Sequence, residues 1–134
     1  MTSDDGKMSL FFAVGLVGLL LVAGLVLDGG AQLRATQRAQ GLAEEAARAG
    51  AQAVDVDALM RGQEPRLDSS LARSTAQSYL TTAGATGTVT AGLETVSVDV
   101  TITTPTLFLS LIGLPELSGS GSATARLALS QDMP

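Results

Sequence analysis

From Met8 to Leu27 the chain reads MSLFFAVGLVGLLLVAGLVL, twenty residues without a charge, a proline or a strongly polar side chain. At about 1.5 Å of rise per residue such a helix is about 30 Å long, the thickness of a bilayer's hydrocarbon core. A helix of that length inside a soluble core would carry a polar face, and only Ser9, at the edge, is polar here. The run therefore predicts a transmembrane helix. A cleaved secretory signal is the rival, but such signals have a basic leader and an apolar run of about 7 to 15 residues. Residues 1–7 set Asp4 and Asp5 against the single Lys7. The segment is expected to be retained.

With the anchor set aside, the 134-residue chain leaves room for one small domain. Aromatic residues make up 3% of the chain and tryptophan is absent, so the core must be packed from Ala, Val and Leu. Such a core buries little area per residue, which is a motive to expect a homo- or hetero-oligomer. The net charge of −5 contains no basic block, which argues against nucleic acid as a partner. Without cysteine or histidine, the thiolate nucleophile, the commonest general base and the commonest metal ligand are all missing. An enzyme is not expected, and neither is a cofactor, a metal site or a small-molecule substrate. Asp55-Val56-Asp57 lacks the rest of a calcium-loop pattern and reads as solvated. Ser118-Gly-Ser-Gly-Ser has no histidine to activate a serine.

Past Asp28 and the pair Gly29-Gly30, residues 28–54 are rich in good helix formers and predict that the anchor continues as one long helix, loosened at the glycines. Within it Ala35, Ala39, Leu42, Ala46, Ala49 and Ala53 recur at spacings of 4, 3, 4, 3 and 4. This is a heptad seam of small residues, suited either to the domain's own sheet or to a sister subunit. Glu44 and Arg48 form an i, i+4 pair on the wet face.

Residues 55–68 read as a linker holding one short turn. Asp68 then caps a second helix from Leu71 to Thr82, which ends at Ala83-Gly84, with Tyr79 and Leu80 as core anchors. From Gly87 the period changes to two. Thr88 to Thr90 gives a first strand; Thr95 to Thr103 alternates strictly, with Val96, Val98, Val100 and Ile102 on the core face. A last run, Ser118 to Leu129, places Ala123, Ala125, Leu127 and Leu129 on one face and Thr124, Arg126 and Ala128 on the other. Helices followed by an antiparallel meander of about three strands make an α+β domain over residues 69–134.

Between the last two strands, Pro105 and Pro115 bracket an apolar segment containing Leu107, Phe108, Leu109, Leu111 and Ile112. Packing as a short helix over the sheet is the default expectation; an exposed surface for a partner or the bilayer is the alternative. In the anchor, Gly15, Gly18 and Gly24 form no GxxxG pair but leave notches that a neighbouring helix could fill.

The order of a short leader with Gly6, an apolar helix, Leu-Asp-Gly-Gly at its exit and the Ala-rich AEEAARAGAQA stretch resembles the TadE/TadG-like proteins of the Flp (tight adherence, Tad) pilus apparatus. The resemblance implies a pilin-like fold and a minor pilin or pseudopilin-like assembly factor. Its partners would be the lipid bilayer and other pilus or secretion-system subunits. It would be held in the cytoplasmic membrane by a single pass, with its C-terminal domain outside and reaching the cell surface or the pilus. Orientation rests on the resemblance, because Lys7 on one side and Arg34 and Arg38 on the other nearly balance. A prepilin-type leader would end at Gly6, with cleavage before Lys7. Where pilin-like members commonly carry a glutamate, five residues on, this chain has Phe11. That departure favours an accessory role over a major building block. Asp28 matches the family's acidic residue at the membrane exit, and is expected to sit in headgroup water rather than to cap or to pair with Arg34. A membrane-tethered binding or sensor module unrelated to pili, docking through residues 105–115, is the competing reading.

Overall fold

The computed structural model describes residues 2–127. The apolar run and the Ala-rich segment form a single helix, α1 (Thr2–Gly50), with Asp4 and Asp5 in its first turn and Arg48 in its last, the signs that complement the helix dipole. Gly29 and Gly30 do not interrupt it. Good helix formers on both sides carry the ladder across two residues that would otherwise favour a break.

Residues 51–68 are tied into the fold. Asp55 caps the short α2 (Val56–Met60) by accepting from the Ala58 amide at 3.0 Å, and pairs with Arg66 Nε at 3.0 Å. The Ala58 amide, followed by Arg66, holds the Asp55 carboxyl below its usual range. Val54 bridges Leu67, which is buried in the core. Asp68 then caps α3 (Ser69–Thr82) by accepting from the Leu71 amide at 3.1 Å, and the helix stops where Gly84 turns left-handed at φ 72°. Asp68→Ala should lower stability by about 1 kcal/mol, read as a shift in the denaturant midpoint with unchanged slope. A changed slope would point instead to an altered denatured state.

Three strands follow in meander order: β1 (Thr86–Ala91), β2 (Thr95–Pro105) and β3 (Glu116–Arg126), all antiparallel. Val98 stands opposite Val89 on one side and Ala123 on the other. As the alternation predicts, Val96, Val98 and Val100 are buried, while Asp99 and Thr101 are exposed on the other face. The α+β architecture read from the sequence is the one observed. β3 begins before Ser118, and Ala128 and Leu129 lie outside the described residues.

The second half of α1 lies on the sheet's core face. Ala39, Ala43, Ala46 and Ala47 are essentially without solvent contact there. Opposite them, beyond Leu117, β3 presents Gly119, Gly121, Ala123 and Ala125, with Leu127 following, so that from Gly119 onward the side chains grow along the strand. A Cβ on Gly121 would lie 2.6 Å from the carbonyl carbon of Ala39 and closer still to the backbone of Gln40; one on Gly119 would lie 2.5 Å from that of Ala35. Helix backbone thus rests on strand backbone, which is what the Ser-Gly-Ser-Gly-Ser stretch provides. On the other flank α3 contributes Ala72, Ala76 and Leu80, and Gly50 admits the Ala72 carbonyl.

The alanine seam therefore closes on the domain's own sheet, and the sister-subunit reading of it does not hold. Ala35, Ala39, Ala46 and Ala53 are buried within the chain, while Leu42 and Ala49 are only half-buried at the stripe's border. A helix on a sheet uses a broader stripe than a coiled-coil seam, which brings in Ala43, Ala47 and Gly50. The Glu44–Arg48 pair is also absent among the described residues; Glu44 instead accepts from Gln40 Nε2 at 2.9 Å. Tyr79, half-buried, donates its hydroxyl to Glu45, a bond to a carboxylate that raises the phenol's pKa.

Candidate functional site

The first half of α1 stands clear of the domain. From Met8 to Leu27 its large apolar side chains are exposed, Phe11 and Phe12 among the most open. One helix in the described residues is long and apolar enough to cross a membrane, and this is it. Gly6, Lys7 and Phe11 all lie on exposed helix within it, and among the described residues nothing comes within 4 Å of a Cβ placed on Gly6, Gly15 or Gly18. The notch at Gly24 is different, because it is filled from within the chain. Phe108 packs so tightly there that a Cβ on Gly24 would meet its Cβ and Cγ at 2.6 Å.

Phe108 belongs to the apolar segment between the prolines. That segment does not cover the sheet as expected. It forms a 3-10 turn (Leu109–Ile112) at the end of the β2–β3 connection, against α1 at the level of Gly24 and Asp28. Thr106 closes its base, donating its amide to Pro115 O at 3.0 Å and its hydroxyl to Leu114 O at 2.6 Å, and Gly113 ends the turn at φ 88°. A sheet face already filled by α1 and α3 leaves the segment no place on the core, which is the physical reason the default expectation fails.

Asp28 fixes this loop to the helix. Its carboxylate accepts from three consecutive amides: Leu107 at 2.9 Å through Oδ1, and Phe108 at 3.0 Å and Leu109 at 2.8 Å through Oδ2. Three successive N–H groups converging on one anion form a nest. The residue is 2% exposed, so the expected position in headgroup water is corrected: it serves as an internal cap for a loop some eighty residues away. The Leu107 amide above all, followed by those of Leu109 and Phe108, holds the carboxyl below its usual range against the opposing effect of burial.

The open edge of β3 is covered by α1 as well. Gln40 donates to Ser122 O at 3.0 Å and accepts from Ser122 N at 3.2 Å, so its side-chain amide imitates a neighbouring strand. Gln32 donates to Ser118 O at 3.4 Å. Sequence reasoning singled out neither glutamine, nor the glycine pair of β3 as a packing surface. The alternating Ser-Gly pattern was the available signal, since a strand face stripped to backbone calls for a close neighbour.

No group of acidic residues among those described is placed to hold a metal ion. Leu107, Leu111 and Ile112 point outward, while Phe108 and Leu109 are partly covered. Gly6 and Lys7 are separated from this loop by nearly the whole apolar stem, so the sequence-predicted site residues do not form one cluster. They mark the two ends of the stem and the helix face behind the sheet.

No curated protein and no solved structure matches the chain. A family model does match, that of the TadE/G-like Flp pilus-assembly proteins, over residues 6–53. The match covers α1 from Gly6 to its end and stops before the sheet domain. Over residues 6–53, the stem and its alanine-rich continuation, this chain is similar to the TadE/G-like Flp pilus-assembly proteins, the family whose resemblance its N-terminal residues carry.

Proposed function

We propose that this protein is a single-pass minor pilin or pilus-assembly subunit of a Flp/Tad pilus or related secretion system. Residues 8–27 would cross the cytoplasmic membrane, with the domain on its outer side. The observation that carries the reading is the coincidence of the family match with a helix whose apolar half, apart from the notch at Gly24, is left exposed by the described residues. An apolar stem this open needs lipid or other apolar helices around it, and a membrane-bound pilus-assembly platform would supply both. The role is non-enzymatic and works through helix packing and protein contacts. Since the alanine stripe is used up internally, contacts with other subunits fall to the stem and the outer surface of the domain. Phe11 in place of a glutamate favours an assembly role at the membrane over a repeating filament position.

Two measurements on the membrane-extracted protein test this. Mild cross-linking followed by affinity isolation should recover other pilus components, and recovery of none would overturn the reading. Intact mass should show a chain beginning at Lys7 if a prepilin-type leader is removed at Gly6. A chain still carrying residues 1–6 would end that part of the proposal.

A further inference from the structure

We infer that the loop between Pro105 and Pro115 is a second membrane contact, inserted into the boundary between headgroups and acyl chains beside the stem. This rests on the anchoring proposed above. Phe108 occupies the notch at Gly24, three residues before the apolar run ends, which places its ring about 4.5 Å inside the end of that run. Interfacial apolar segments bury to depths of about 5–10 Å. The outward side of the loop is apolar and open: Leu111 is 81% exposed, Ile112 65% and Leu114 50%. Residues 106–114 contain no charged side chain. The surface is therefore continuous with the stem and requires the same solvent.

The backbone supplies an independent argument. In lipid, peptide groups must be satisfied from within the protein, whereas a loop bathed in water has no such need. Here the amides of Leu107, Phe108 and Leu109 donate to Asp28, and those of Leu111, Gly113 and Leu114 donate to carbonyls within the loop. Even the Ser110 hydroxyl bonds inward, to Leu107 O at 3.2 Å. An uncharged, internally hydrogen-bonded loop with bare leucines suits a bilayer boundary better than it suits water. With stem and loop both in lipid, the domain would be held against rotation about the stem.

The absence of tryptophan allows a clean test with the full-length chain in phosphatidylcholine/phosphatidylglycerol vesicles. Leu111→Trp and, separately, Ile112→Trp each place one fluorophore on the loop; Leu19→Trp reports on the stem and Thr101→Trp on the exposed sheet face. Loop tryptophans should emit at shorter wavelength than Thr101→Trp. They should lose about half their intensity or more to phosphatidylcholine brominated at shallow acyl positions, and resist acrylamide. Acrylamide quenching equal to that of Thr101→Trp, with Leu19→Trp still quenched by deep bromines, would overturn the inference and leave the anchor standing. Protection from both quenchers would also overturn it, by assigning the loop to a protein partner. Failure of Leu19→Trp to respond to bromine would remove the anchor itself, and the inference with it.

Discussion

Gly121→Val should cost the domain about 3 kcal/mol or more, at or beyond the upper end of what overpacking usually costs. The obstruction is main chain: the new side chain would meet the backbone of Ala39 and Gln40, which cannot rotate away. The helix must lift from β3, and the Val96, Val98 and Val100 core opens with it. For a domain of about a hundred residues, at about 4–8 °C per kcal/mol, the melting temperature should fall on the order of 15 °C. Ala39→Leu attacks the same contact from the helix side and should behave alike, unfolding the sheet rather than sparing it. Ser120→Val, on the exposed face of the same strand, is the control and should stay within about 0.5 kcal/mol of wild type. Thermal melts in detergent, followed through the sheet's circular dichroism band, decide it; equal melting of the Gly121 and Ser120 variants would remove the backbone contact from the account.

Asp28→Asn should free the loop while leaving the sheet folded. Asparagine keeps one acceptor but turns an NH2 group toward amides that are themselves donors. The Leu107, Phe108 and Leu109 amides should then exchange with deuterium on the order of 100-fold faster. Acid should act in the same direction on the native protein. The folded carboxyl is held below its ordinary value of 3.8, so its contribution is fully present above that value. It falls as pH drops through 3.8 toward the lower folded value, and is lost below both. Wild type and Asp28→Asn should therefore differ at neutral pH and converge as the solution is acidified. Unchanged exchange in the variant, or a gap that stays constant with pH, would show that the carboxylate does not hold the loop.

What could be seen in the chain beforehand was whatever repeats locally. The Thr/Val alternation of β2 gave its start and its faces, though the strand runs two residues past Thr103 to Pro105, and Asp68 and Gly84 marked both ends of α3. The family resemblance lay in the same local run of residues, and the family match falls on it. The destination of the alanine face was not legible from the face itself, because alanine suits a sheet and a sister helix equally well. Gly119 and Gly121 held the deciding information, far along the chain. The role of Asp28 is hidden for the same reason: its three donors sit some eighty residues away, and an aspartate beside an apolar helix looks solvated unless they are known. Leu107 to Ile112 stood out as apolar, but only the filled core face explains why they lie beside the stem.

The uninterrupted passage of α1 through Gly29 and Gly30 gives the molecule a mechanical property. With no hinge between the apolar stem and the part of the helix under the sheet, the two behave as one lever. From Asp28 to Gly50 the axis runs about 33 Å, so a stem tilted by about 20° carries its far end sideways by about 11 Å. Any neighbour that tips the stem, by packing at Gly15 or Gly18 or by drawing it out of the bilayer, would move the whole sheet through that arc.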